Sequence, residues 1–157
     1  MSAALARRLV EAARAKGLHV ATAESCTGGM LGAAITDIAG ASDIYEGGVV
    51  SYSNAAKEAL LGVRPETLAA QGAVSEEVAA EMAEGALARL GCDMAISVTG
   101  VAGPGASGKK PEGRVCFGLA LRAGGVRTET VEFGALGRDK VRAASVRHAL
   151  GLLIAAC

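Results

Sequence analysis

With 157 residues, 51% of them hydrophobic, the chain is long enough for one domain, 1–157, that removes about 68–70% of its unfolded surface from water. Acidic and basic residues balance at 16 each, which argues against a general nucleic-acid or anionic-membrane surface. No apolar run nears the ~18 residues of a spanning helix, and Glu11 among Arg7, Arg8 and Arg14 excludes a signal peptide, so a cytoplasmic protein is expected.

Residues 3–16 repeat Leu5, Leu9 and Ala13 on one face and end at Gly17, the pattern of a helix stopped by a C-terminal glycine. The apolar run 18–21 predicts a buried strand. Thr22-Ala23-Glu24-Ser25-Cys26-Thr27-Gly28-Gly29 then predicts a tight polar turn, and the apolar spacing over 30–38 a helix. A strand that turns sharply into a helix presents a side chain on the rim of a sheet, with unpaired N–H groups beside it. Ser25 and Cys26 are the two nucleophiles on offer there. The competing reading is structural: Ser25 or Thr27 caps the helix and the glycines allow close packing.

Residues 46–52 predict a second strand, after which Ser53-Asn54 caps a short helix over 55–61. Pro65 suits the first position of a further helical turn. Ser75-Glu76-Glu77 opens a helix over 78–90 that Gly91 ends. Residues 93–99 form a third strand, apolar enough for the middle of a sheet. Residues 100–113 make a loop rich in glycine and proline, too long for a simple connector. Strands 114–122 and 126–133 are joined by the hairpin signal Ala123-Gly124-Gly125, and 138–156 is the closing helix, with Val146, Leu150, Leu153 and Ile154 inward. The alternation predicts an α/β fold: three layers, α/β/α, around a mixed, mostly parallel five-stranded sheet that turns antiparallel at the late hairpin.

Serine needs a base. His19 and His148 lie away from the strand ends where the polar motifs gather, so a serine–histidine–aspartate arrangement is not expected. Lys57 is the candidate, because Ser51-Tyr52-Ser53-Asn54 leads from the second strand straight into its helix. If strands one and two are parallel neighbours, both deliver their polar ends to the same rim, the rim where open α/β sheets bind ligands. A solvated surface lysine is the competing reading. The third strand ends there too, so Thr99, Gly100 and Ala102 join the candidates. Lys109 and Lys110 read as a solvated loop tip. Arg138, at the start of the last helix, suits a carboxylate or phosphate. Cys26, Cys92, Cys116 and Cys157 stand far apart and read as thiols without a metal.

Together, TAESCTGG, ITDIAGASDIYEGGVVSYSNAAKEALLGV, TLAAQGAVSEEVAAEMAEGAL, SVTGVAGPG and KPEG resemble the CinA C-terminal domain family, which includes stand-alone nicotinamide-nucleotide amidases. The resemblance runs from about Val20 through the last helix. It implies hydrolysis of nicotinamide mononucleotide to nicotinic acid mononucleotide and ammonia, in pyridine-nucleotide recycling, by a serine–lysine pair. That pair falls on Ser25 and Lys57, and the family's supporting positions fall on Tyr52, Thr99 and Arg138. The chain opens on its first helix, so the pyrophosphatase-like domain of longer relatives is expected to be absent. On the expected mechanism neutral Lys57 takes the Ser25 proton, amides around Cys26, Thr27 and Gly28 hold the oxyanion, and Tyr52 orients Lys57 or relays a proton to ammonia. No cofactor and no metal are expected. The expected partner is a small-molecule mononucleotide, with no nucleic acid and no membrane, and a homodimer suits a domain this compact. Two alternatives are a non-catalytic mononucleotide-binding module and an amidase with Cys26 as nucleophile.

Overall fold

The computed structural model describes residues 2–157. Five strands, β1 (Val20–Glu24), β2 (Tyr45–Val50), β3 (Met94–Gly100), β4 (Arg114–Leu121) and β5 (Val126–Glu132), form one sheet in the order β2-β1-β3-β4-β5. β2, β1 and β3 are parallel neighbours, and β4 runs antiparallel between β3 and β5. The mixed sheet and the late hairpin are as the sequence predicts.

Helices α1 (Ser2–Lys16), α2 (Met30–Thr36) and α6 (Arg138–Ala156) cover one face; α3 (Asn54–Leu61), α4 (Pro65–Gln71) and α5 (Glu76–Leu90) cover the other. The two-residue period of the strands assigns side chains to these layers. Met94, Ile96 and Val98 of β3 enter the core beneath α1, α2 and α6, while Ala21, Ala23 and Ala95 face α5. Small residues on the α5 side let that helix lie close. The Ser97 hydroxyl donates to the Ala79 carbonyl at 2.6 Å, and a Cβ on Gly118 would collide with that same carbonyl. Gly85 plays the same part between helices: its bare Cα faces the end of α3, where a Cβ would strike the Leu61 carbonyl. No helix among the described residues is long and apolar enough to cross a membrane.

Several boundaries differ from the sequence expectation, and those of β1 and β2 matter at the rim. β1 starts and ends later than 18–21, so Thr22, Ala23 and Glu24 belong to the strand; the His19 N–H goes instead to the Asp93 carboxylate at 2.7 Å. β2 stops at Val50, which frees Ser51 and Tyr52 to turn away from the ladder. α2 ends at Thr36 rather than 38. Ile154 is only half-buried, unlike Val146, Leu150 and Leu153.

Candidate active site

Parallel alignment brings the C-terminal ends of β1, β2 and β3 to one rim, with Glu24 in register with Val50 on one side and Val98 on the other. The ladder runs one step past the strands: Ser51 N–H donates to the Glu24 carbonyl at 2.8 Å, and Ser25 N–H to the Val98 carbonyl at 2.9 Å. Ser25 is therefore fixed by two neighbouring strands.

The turn after it is not capped as the structural alternative supposed. The residue before α2 is Gly29, in the left-handed region at φ 102°, and no side chain caps the helix from there. Glu24 does so from the strand. Its buried carboxylate accepts the Leu31 and Gly32 N–H groups, each at 2.9 Å, and the Thr27 hydroxyl at 2.6 Å. A carboxylate held by first-turn amides is compensated by the positive end of the helix. Thr27 is thereby buried and faces away from the pocket. Gly28 also lies outside the pocket, and its N–H is used within the turn, on the Ser25 carbonyl at 3.1 Å. Neither residue lines the cavity as expected, because the turn folds under Ser25 instead of around it.

Lys57 comes from α3, whose cap is Ser53, the side chain accepting the Ala56 N–H at 3.0 Å. It is 1% exposed, which rules out the solvated reading. Its Nζ lies 2.9 Å from Ser25 Oγ and donates to the Ser51 and Tyr52 carbonyls, each at 3.1 Å. No carboxylate among the described residues pairs with it. Burial lowers its pKa from the ordinary lysine value, against a smaller upward pull from the Cys26 thiolate form. A neutral amine has two N–H donors and one lone pair, and this site offers two carbonyls and one hydroxyl.

Cys26 is also buried, and burial pushes its thiol up to about 11, so it is protonated at neutral pH. A thiol in that state is a poor nucleophile.

A cavity of about 350 Å³ opens over Ser25, Cys26 and Lys57, and Thr99, Gly100, Ala102 and Arg138 also line it. The Thr99 hydroxyl donates to the Ala73 carbonyl at 2.8 Å and so holds that wall in place. Tyr52 departs from expectation. Its hydroxyl, on a side chain 61% exposed, accepts from Arg138 at 2.8 Å and does not meet Lys57; what reaches Lys57 is its backbone carbonyl. Ending β2 at Val50 is what separates the two. Arg138 also donates to the Gly103 carbonyl at 2.7 Å, tying the long loop to Tyr52 across the mouth.

Sequence reasoning missed Asn54 as a lining residue, three positions before Lys57, while the long loop that it singled out supplies a wall through Gly103–Ser107. It also missed Arg142, which reaches the turn after Ser25. The signal for Asn54 was its i, i+3 spacing from Lys57, and for Arg142 its i, i+4 spacing from Arg138. No group of three His, Cys, Asp or Glu side chains suited to a metal exists among the described residues.

The CinA C-terminal domain family matches residues 2–157. The chain belongs to that family. Among curated relatives of this CinA-domain chain, nicotinamide-nucleotide amidohydrolase PncC of Escherichia coli K12 is 48% identical over 150 residues, covering 95% of this chain and 90% of the relative. A CinA-like protein of Chlorobium phaeobacteroides is 59% identical over 121 residues, or 75% of this chain and 29% of that protein. The chain spans about a third of the length of such CinA-like relatives. Among solved CinA-type structures, the competence/damage inducible protein CihA from Agrobacterium tumefaciens superposes with a TM-score of 0.95 at 46% identity, over 98% of this chain and 94% of that one.

Proposed function

We propose that this CinA-domain chain hydrolyses the carboxamide of nicotinamide mononucleotide to nicotinic acid mononucleotide and ammonia, through an acyl-enzyme on Ser25, in cytoplasmic pyridine-nucleotide recycling. The observation that carries the reading is the buried Lys57 amine 2.9 Å from Ser25 Oγ, with no acid paired to it among the described residues. Two relatives named for this amidase, from Enterobacter agglomerans and Escherichia coli, support it; the chain covers 80% and 90% of their lengths.

Neutral Lys57 keeps its two N–H bonds to the Ser51 and Tyr52 carbonyls and turns its lone pair to the Ser25 hydroxyl. Ser25 Oγ attacks the carboxamide carbon as its proton passes to Lys57. The C=O electron pair becomes an oxyanion. The turn leaves the Cys26 N–H, on a residue that lines the cavity, without a protein acceptor among the described residues, and this is the donor assigned to it. Collapse re-forms the carbonyl and breaks the C–N bond, with the Lys57 proton going to nitrogen, and ammonia departs. Water then attacks the ester, Lys57 takes its proton and returns it to Ser25 Oγ. Arg138 at the mouth provides a cation for the substrate phosphate.

Ammonia release from nicotinamide mononucleotide by the purified protein tests this. Release that is lost in Ser25→Ala is expected. A wild type that binds the mononucleotide without releasing ammonia is a binding module, and the proposal fails.

A further inference from the structure

Helix α6 sends two arginines, one turn apart, to two different walls of the site. Arg138 goes to the mouth. Arg142, half-buried and outside the cavity lining, goes to the turn after Ser25. Its Nε donates to the Cys26 carbonyl at 3.0 Å and one Nη to the Thr27 carbonyl at 3.2 Å.

A trans peptide group points its C=O and N–H in opposite directions, so fixing one end aims the other. The Ser25 carbonyl is held by Gly28 N–H, which aims the Cys26 N–H. Arg142 holds the Thr27 carbonyl, which aims that Gly28 N–H, and it holds the Cys26 carbonyl beside it. The Cys26 N–H is left without a protein acceptor among the described residues, and Cys26 lines the cavity. Glu24 secures the far side of the same turn through Thr27 and the first amides of α2. Arg142 is thus the link that α6 makes to the peptide planes themselves. A guanidinium holds two carbonyls with a planar fork, which a lysine ammonium does not reproduce.

We infer that Arg142 is a positioning residue, bracing the turn whose free Cys26 N–H receives the oxyanion formed at Ser25. The inference rests on the proposed serine chemistry. It can be read separately from the choice of substrate with a fluorophosphonate, on which Ser25 Oγ forms an O–P bond, fluoride leaves and Lys57 takes the proton.

The experiment measures ammonia release from nicotinamide mononucleotide and the fluorophosphonate labelling rate at Ser25, in wild type, Arg142→Ala and Arg142→Lys. Mononucleotide Kd is measured on a Ser25→Ala background with and without Arg142→Ala. Arg142→Ala is expected to lower kcat and labelling by about tenfold or more, since whole oxyanion donors are worth roughly 10²–10³, while Kd moves less than about twofold. Arg142→Lys, which keeps the charge, is expected about fivefold or more below wild type, and it carries the comparison if the alanine variant does not fold. Added ethylguanidine should restore part of the alanine variant's rate. Both variants within about threefold of wild type on both rates, or a Kd that rises in step with the loss of kcat, overturns the inference. A wild type that labels at Ser25 but releases no ammonia rejects the substrate reading alone, and the labelling ratios still decide Arg142. A wild type that does neither overturns both.

Discussion

Replacing Lys57 by methionine and by arginine separates a base from a mere positive charge. The lysine is 1% exposed, and its Nζ sits within proton-transfer distance of Ser25 Oγ, at 2.9 Å. Removing a general base of this kind costs about 10²–10⁴ in rate, and a loss near the middle, about 10³, corresponds to roughly 4 kcal/mol of transition-state stabilisation. Lys57→Met should therefore drop kcat/KM by about 10³. Arginine keeps its charge at every accessible pH, so Lys57→Arg should be nearly as inactive. In wild type, kcat/KM should rise with pH as Lys57 loses its proton and then level off. Because burial lowers its pKa, the midpoint should lie below the ordinary lysine value of about 10.4. The same displacement acts on folding. Between the folded pKa and the ordinary one, the unfolded chain binds the extra proton, so stability rises with pH through that window, and Lys57→Met should abolish the rise. Initial rates of ammonia release across pH, with denaturation midpoints on the same samples, give all of these quantities. An arginine variant with more than about a tenth of wild-type activity, or a wild-type rate that falls as pH rises through the window, would refute the reasoning.

Cys26→Ala should retain at least about a third of wild-type kcat, because its thiol is pushed up to about 11 and stays protonated; loss of activity there with Ser25→Ala still turning over would transfer the nucleophile to sulfur. Tyr52→Phe removes the hydroxyl that Arg138 holds but keeps the carbonyl that holds Lys57. It should raise KM several-fold and leave kcat within about threefold, and a collapse of kcat at unchanged KM would put the hydroxyl in the chemistry. Dialysis against EDTA should leave the rate unchanged, given that the described residues offer no cluster of three metal-binding side chains; activity lost and then restored by zinc or magnesium would contradict this.

The layers of the fold were legible because each element carries its own period and its own stop: Gly17 after α1, Ser53 before α3, Ser75 before α5 and the glycine pair between β4 and β5. Ser25 and Lys57 were legible as a pair because parallel neighbouring strands deliver their C-terminal turns to one rim, whatever the separation in sequence. Backbone direction was not legible. Whether Tyr52 offers its hydroxyl or its carbonyl to Lys57 depends on β2 ending at Val50, and strand ends are set by tertiary pairing more than by residue type. Thr27 read as a pocket residue because its neighbour Ser25 is one, yet the Glu24 carboxylate draws its hydroxyl beneath the turn. The spacing of Arg142 from Arg138 puts the two on one helix face, but its meeting with Cys26, 116 positions away in the chain, is set by the packed fold.

The bare Cα of Gly85 bears on more than packing. A helix-interior glycine is an obvious target for thermostabilisation, since alanine there gains about 1 kcal/mol of helix propensity. At this position the added methyl would drive into the Leu61 carbonyl, one turn beyond Lys57 on the same short helix. α3 would have to back away from α5, and the lysine would withdraw with it from Ser25. The depth at which the amine sits is set one turn further along that helix, by an atom that is missing. Attempts to harden this protein and attempts to tune its chemistry therefore meet at one residue that touches no ligand.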